Sequence, residues 1–434
     1  MQLTKAVRID KDNVAIARIE ERCINCGRCK TICQDIVGIN YDSRCRNAVC
    51  INCGQCILNC PVGALVTKYD YKRVLNYLHD TEKIVTISVA PAVRTSIGEG
   101  FNLEAGTFLE KQLVGALKEV GFDYVFDVTT GADMTIMEEA TELVNRLKNN
   151  GPLPLFTSCC PSWVKYLEIY HPDKLPHLST VKSPIGIQSS LLNTYFLKMK
   201  ELDKKNVINV VVVPCTSKKF EIKRTEVGMD IAITTNELVM LLKESNIDIT
   251  KVEPREFSSL FSKGSGGGLI FGRSGGVMES ALRCVNYLIT GEDKIINFLA
   301  LAETLKSGKI KKATVNIGSY KLRVAVVMGM PNFEEVLKTI DDYDFIEVMN
   351  CPNGCVGGGG QVLAPIAKMD EINQKRGDSL SLDDLNNKIR FCYKNPDVIN
   401  FYKTYLDYPG SPKAFKIIHT NFKDRSSILK ELSL

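Results

Sequence analysis

Nine of the sixteen cysteines of this 434-residue chain fall between Cys23 and Cys60. Cys23, Cys26, Cys29 and Cys33 have the spacing C-x2-C-x2-C-x3-C, and Cys50, Cys53, Cys56 and Cys60 repeat it just before Pro61. Thiols at this density ligate metal. Zinc prefers separated C-x2-C pairs that close on one ion, so two triplets with trailing cysteines point to iron–sulfur chemistry. A second set lies in TSCCPSW (157–163), PCTSKKFE (214–221) and EVMNCPNGCVGGGGQ (347–361). Cys160, Cys215, Cys351 and Cys355 supply the four thiolates that a further cubane needs. The glycine run 357–360 lacks the Lys-Ser/Thr of a phosphate loop, and close backbone approach to a cofactor accounts for it better.

These residues need a scaffold. The length suggests two to four domains. A hydrophobic fraction of 44% and a charged fraction of 24% suit a globular core. The +5 balance is too mild to imply nucleic acid. The first residues are charged and contain no apolar signal core, and the longest apolar stretch, 207–213, is interrupted by Asn209 and far too short to span a membrane. Reduced thiols in a cytoplasm follow as the expectation.

Residues 1–75 read as a loop-rich unit stapled by metal, and residues 76–434 as the body. In the body, 83–91, 122–128, 153–158, 208–215 and 345–351 read as strands. Residues 107–120, with Leu109, Leu113, Ala116 and Leu117 on one side, and 133–147 read as helices. A helical C-terminal segment is expected over about 385–434, and the Gly-rich stretch 263–276 as an ordered loop or linker. Alternating strands and helices predict an α/β body. Three strands end on cysteines, and sites gather at the carboxyl ends of strands, so the three endings are expected to converge.

The N-terminal spacing resembles the bacterial two-cluster ferredoxins, in which the fourth cysteine of each run serves the other cluster. Cys23, Cys26, Cys29 and Cys60 are thereby assigned to one [4Fe–4S] cluster, and Cys50, Cys53, Cys56 and Cys33 to the other. Cys45 is left over and reads as a buried or loop thiol.

The three body motifs resemble the signature stretches of the [FeFe]-hydrogenases. So do 131–143, 270–283 and 411–420, and the resemblance runs from Cys23 to Thr420. It implies an α+β chain: a ferredoxin-like domain followed by a two-lobed α/β domain that holds an H-cluster. In that cofactor Cys355 bridges a cubane to a diiron subcluster bearing CO, CN⁻ and azadithiolate. It further implies that Lys218 and the backbone at Ala90 and Pro91 face the cyanides, and that Met349 and Phe271 form apolar wall. Cys159, the non-ligand of its pair, would exchange protons with the site. The family's proton route maps onto Cys159, Glu139, Ser179, Glu142 and Arg146. Implied partners are a ferredoxin or similar carrier, maturation proteins, and H₂ and protons as substrates.

Taken without the motif, each residue has a plainer reading: a structural thiol at Cys159, a solvated Lys218, a Glu–Arg helix face at 139–146. The chain also departs from the better-known members. Ala92, Ile185 and Val213 stand where Ser, Gln and Met are usual, and Val362 follows Gln361 in place of Pro. A shifted potential or rate is expected from this loss of polarity. Competing readings are a hydrogen sensor on the same site, an iron–sulfur assembly protein of related sequence, and a plain electron-transfer ferredoxin subunit. A retained relay, the presence of Cys159 and Lys218 beside it, and some 350 further residues argue against these in turn.

Overall fold

Two short strands, β1 (Ile16–Arg18) and β2 (Leu65–Thr67), pair antiparallel and bracket the dense cysteine region. The core beneath them is small. Val7, Ala15, Ile16, Ile57 and Leu65 share it with Cys29 and Cys56, so sulfur replaces much of the hydrocarbon that a larger unit would bury. The computed structural model describes residues 6–7, 9–38, 49–305 and 307–429; Cys45 lies outside them.

The body has two sheets. In chain order its strands are β3 (Ile84–Val89), β4 (Tyr124–Asp127), β5 (Leu155–Phe156), β6 (Val207–Val213), β7 (Ile231–Thr234), β8 (Glu303–Thr304), β9 (Ile310–Ile317), β10 (Tyr320–Met328) and β11 (Phe345–Met349). One sheet has the order β4-β3-β6-β7 and is parallel throughout. The other has the order β5-β11-β10-β9-β8, parallel across its first three strands and antiparallel beyond. Helices cover both faces, which is why β6 reads as an unbroken Val/Ile run. Its one polar residue, Asn209, is buried and satisfied: Thr86 Oγ1 donates to its Oδ1 at 2.8 Å.

The central helix spans Val128–Lys148 and begins earlier than the periodicity suggests. It leaves β4 directly, with the Asp127 carboxylate accepting from Thr129 N at 2.8 Å as the N-cap. Its first part is buried on every side, so no polar face marks its start in the sequence. The stretch 263–276 is an ordered, buried connection, turning through Gly266–Leu269 and Ile270–Gly272 before the Gly276–Thr290 helix. Helical structure in the tail starts at Met369, earlier than 385, with Met369–Asn386, Pro396–Phe401 and Pro412–Ile418. No helix of the described residues is long and apolar enough to cross a membrane.

The second cysteine run docks directly onto the body. Thr216 Oγ1 donates to Asn52 O at 2.6 Å, Ser217 Oγ to Ile51 O at 3.1 Å, and Gln55 Nε2 to Gly357 O at 2.7 Å. Two backbones touch here with no room for a side chain, since a Cβ on Gly359 would collide with the Cys53 carbonyl. Gly359→Ala should therefore destabilise the protein by about 1–3 kcal/mol. Gly377→Ala, inside a helix and with only ordinary contacts around the new methyl, should stabilise it by up to ~1 kcal/mol. Calorimetric melting of the two variants should shift in opposite directions.

Candidate active site

The ends of β5, β6 and β11 meet, as expected, at one cavity of about 80 Å³. Cys159 and Cys160 arrive from β5, Cys215 from β6, and Cys351 and Cys355 from β11, and all five line it. Lys218, Ala90, Pro91, Met349 and Phe271 line the same space, as do Ala92, Ile185 and Val213. Nearly all of the exposed wall is apolar.

This setting penalises thiolates. Burial, and then the charge of Cys160, push Cys215 up to about 12, and burial with Cys215 and Cys160 does the same to Cys355. Cys351 lies well above the ordinary thiol range for the same reasons. Four buried thiols, three of which raise their neighbours, form a donor set that cations reconcile. The surrounding backbone is arranged for anionic sulfur. N–H groups of Trp163, Asn350 and Ser162 favour the Cys160 thiolate, and those of Lys218 and Ser217 favour Cys215. Burial dominates at Cys159, and its neighbours Glu139, Cys160 and Cys355 raise it further. The two adjacent thiols therefore sit in different environments, one prepared as a ligand and one not. The residues fit a cubane-based cofactor.

Lys218 is buried beside them. Its Nζ donates to Cys159 O at 3.2 Å and pairs with Glu221 Oε2 at 2.6 Å. Burial opposes the charge, but Glu221, Cys215 and Cys159 hold its pKa above the ordinary lysine value. Sequence reasoning missed Glu221, whose role depends on a helical turn that returns it to Lys218. It also missed Asn350, which lines the cavity with both amide atoms buried and unpartnered among the described residues.

The N-terminal cysteines form two further groups. Cys23, Cys26, Cys29 and Cys60 line one hollow. Cys53 is raised by burial and then by Cys33 and Cys50, and Cys56 by burial and then by Cys53, Cys50 and Cys33. Cys56 also senses Cys29, Cys53 senses Cys215, and Cys351 senses Cys53, so sulfur runs from the exposed Cys26 to the cavity. Among the described residues no three His, Cys, Asp or Glu close on a single metal ion.

Glu139 is 1% exposed, and burial raises its carboxyl to about 8. Its Oε1 accepts from Ser158 N at 3.2 Å and Ser158 Oγ at 3.4 Å. Ser158 was not anticipated, although it adjoins the cysteine pair. Ser179 Oγ donates to Glu142 Oε2 at 2.8 Å and also approaches Glu139. Arg146 Nη2 donates to Glu142 Oε1 at 2.6 Å, and Nη1 to Pro152 O and Pro176 O near the surface. All five expected relay residues therefore lie in one file from the cavity outward.

The family model described as "Iron only hydrogenase large subunit, C-terminal domain" matches residues 83–359, well over half of the chain. The chain belongs to the iron-only hydrogenase family. A second model, "Iron hydrogenase small subunit", matches 370–425. Iron hydrogenase 1 of Clostridium pasteurianum is 38% identical over 96% of this chain and 78% of its own length. The NADP-reducing hydrogenase subunit HndD of Solidesulfovibrio fructosivorans is 35% identical over 96% of this chain and 76% of that one. The apo [FeFe]-hydrogenase HydA1 of Chlamydomonas reinhardtii superposes with a TM-score of 0.72 at 33% identity, covering 81% of this chain and 98% of that one. Less similar relatives include the cytosolic iron-sulfur assembly component 3 of Bos taurus, 29% identical over 79% of this chain and 75% of that protein. Membership of this hydrogenase family makes the chain an oxidoreductase type that works with iron–sulfur clusters and an H-cluster.

Glu139 provides a pH test. Its pKa rises on folding, so the folded chain binds that proton more tightly than the unfolded one. The associated stability is present below the ordinary carboxylate value of 4.5 and is lost as pH rises toward and through about 8. Melting temperatures measured across that window should fall less steeply for Glu139→Gln than for the parent. Parallel curves would mean that Glu139 is ionised throughout.

Proposed function

We propose that this chain is a ferredoxin-dependent hydrogenase that interconverts 2 H⁺ + 2 e⁻ and H₂. The observation that carries the reading is the cavity in which four prospective ligand cysteines, an unligated Cys159 and a buried Lys218 meet. Cys160, Cys215, Cys351 and Cys355 would hold the cubane, with Cys355 also bridging to the diiron subcluster. The bound H-cluster supplies the metal centre at which protons and electrons combine.

The chain's own residues do the rest. Lys218 Nζ and the backbone at Ala90 and Pro91 offer a cation and dipoles to the cyanides. Met349 and Phe271 exclude water, which strengthens those interactions. Cys159 Sγ exchanges a proton with Glu139, which is neutral near pH 7 and therefore able to give one. Ser179, Glu142 and Arg146 pass it to the surface. Ser158 fixes the Glu139 carboxyl.

Residues 1–75 serve as a two-cluster ferredoxin-like unit, and 76–434 as the H-cluster domain. The cluster on Cys50, Cys53, Cys56 and Cys33 is the inner one, beside Cys215 and Cys351. The outer one, on Cys23, Cys26, Cys29 and Cys60, faces the carrier at Cys26, flanked by the exposed Ile24 and Val62. Residues 1–75 contain twelve Lys and Arg against seven Asp and Glu, so the positive excess of the whole chain resides there. An acidic ferredoxin fits that balance. A cytoplasmic site and dedicated maturation proteins complete the reading. The apolar Ala92, Ile185 and Val213 favour one alternative, a hydrogen sensor with low turnover.

Matured protein should contain about 14 iron atoms per chain and show CO and CN⁻ infrared bands. Cys159→Ser should keep both while H₂ turnover falls by orders of magnitude, because a serine hydroxyl is a poor proton acceptor near neutral pH. Loss of the cubane in that variant would reassign the ligand from Cys160 to Cys159. A sensor would show low turnover in the parent and little change on substitution.

A further inference from the structure

Glu138 adjoins Glu139 in sequence but faces away from the relay. It is fully buried, and the segment that matches the small-subunit model surrounds it. Tyr402 Oη donates to its Oε1 at 2.6 Å, and Gly410 N to its Oε2 at 2.8 Å. His419 Nε2 lies 3.0 Å from the same Oε2. A carboxylate that accepts from both other partners sets the ring's direction: Nε2–H donates to Glu138. His419 Nδ1 is hydrogen-bonded to Thr180 Oγ1 at 2.8 Å.

Thr180 belongs to the relay's frame. Its N–H donates to Glu142 Oε2 at 3.2 Å, the oxygen that also accepts from Ser179 Oγ at 2.8 Å. The tail grips the same short stretch twice more, with Thr420 N donating to Thr180 O at 2.7 Å and Lys182 N to Ile418 O at 3.0 Å. On its other side Ser179 N donates to Phe156 O at 2.8 Å. The Phe415 ring stacks on His419 with centroids 4.5 Å apart, fixing the imidazole from a third direction.

We infer that His419 is a positioning residue for the outer half of the proton relay: it anchors Thr180 to Glu138 and so fixes the amide and hydroxyl that hold Glu142. The inference rests on the relay proposed above. Its chemistry is the sensitivity of proton transfer to donor–acceptor reach, which fails when a contact near 3 Å opens by about 1 Å.

The test uses the matured full-length protein with His419→Ala, His419→Gln and Thr180→Val. His419→Ala should keep its iron content and CO and CN⁻ bands. Its H₂ turnover should fall about tenfold, with a larger solvent deuterium isotope effect. Amide exchange in residues 179–182 should quicken, including in protein that lacks the diiron subcluster. His419→Gln should recover part of the turnover, because an amide can donate to Glu138 and accept from Thr180. Thr180→Val should lose turnover similarly, and the double variant should be no worse than either single one. Unchanged turnover and isotope effect in His419→Ala, or losses that add in the double variant, would overturn the inference. If His419→Ala loses iron, Thr180→Val decides, and full turnover there overturns it. Glu142→Gln separates the two levels. If it is impaired while His419→Ala is not, the anchor alone is wrong; if it too is fully active, the relay is wrong.

Discussion

Sulfur anions cannot crowd together in an apolar space unless something positive joins them. The cavity between the two sheets brings Cys160, Cys215, Cys351 and Cys355 into such a space, where burial raises them all and Cys160, Cys215 and Cys355 raise their neighbours further. The rest of the molecule follows from making that arrangement tolerable. Two sheets supply the strand ends around it, β5 and β11 from one and β6 from the other. Backbone N–H groups face Cys160 and Cys215, and Lys218, the only cation in the wall among the described residues, is itself held by Glu221. The dry wall that makes thiolates costly without iron also keeps water away from a loaded site.

The central helix shows how surroundings divide labour among identical side chains. Glu138 is surrounded by donors from the tail and acts as an anchor. Glu139, one residue on, has mainly Ser158 for company and keeps its proton to about pH 8. Glu142 is paired with Arg146 near the surface. On the relay proposed above, one turn of helix thus carries a brace, a proton carrier and an exit.

The chemistry was legible wherever it depends on local spacing. The cysteine runs, the strands ending on cysteine and the Glu139–Glu142–Arg146 face all follow from offsets of two, three or seven residues. Contacts set by tertiary approach were hidden. Ser158 and Asn350 adjoin cysteines of the recognised motifs but carry no signature of their own. His419 lies some 240 positions from Thr180, and only the fold brings them together. The start of the central helix was hidden for another reason: a helix buried on all sides has no amphipathic edge to mark it. The early start at Met369 was obscured by the strongly polar sequence of that helix, whose apolar residues are few.

The tail has one more consequence. Its match to a small-subunit model describes a piece able to be a polypeptide of its own, yet here it is joined to the body by peptide bonds. A tethered partner meets its site at a fixed effective concentration, commonly millimolar for a short linker, however dilute the protein. The hydrogen bonds to Glu138 and Thr180 therefore escape mass action, and their occupancy does not depend on how much of the protein a cell contains.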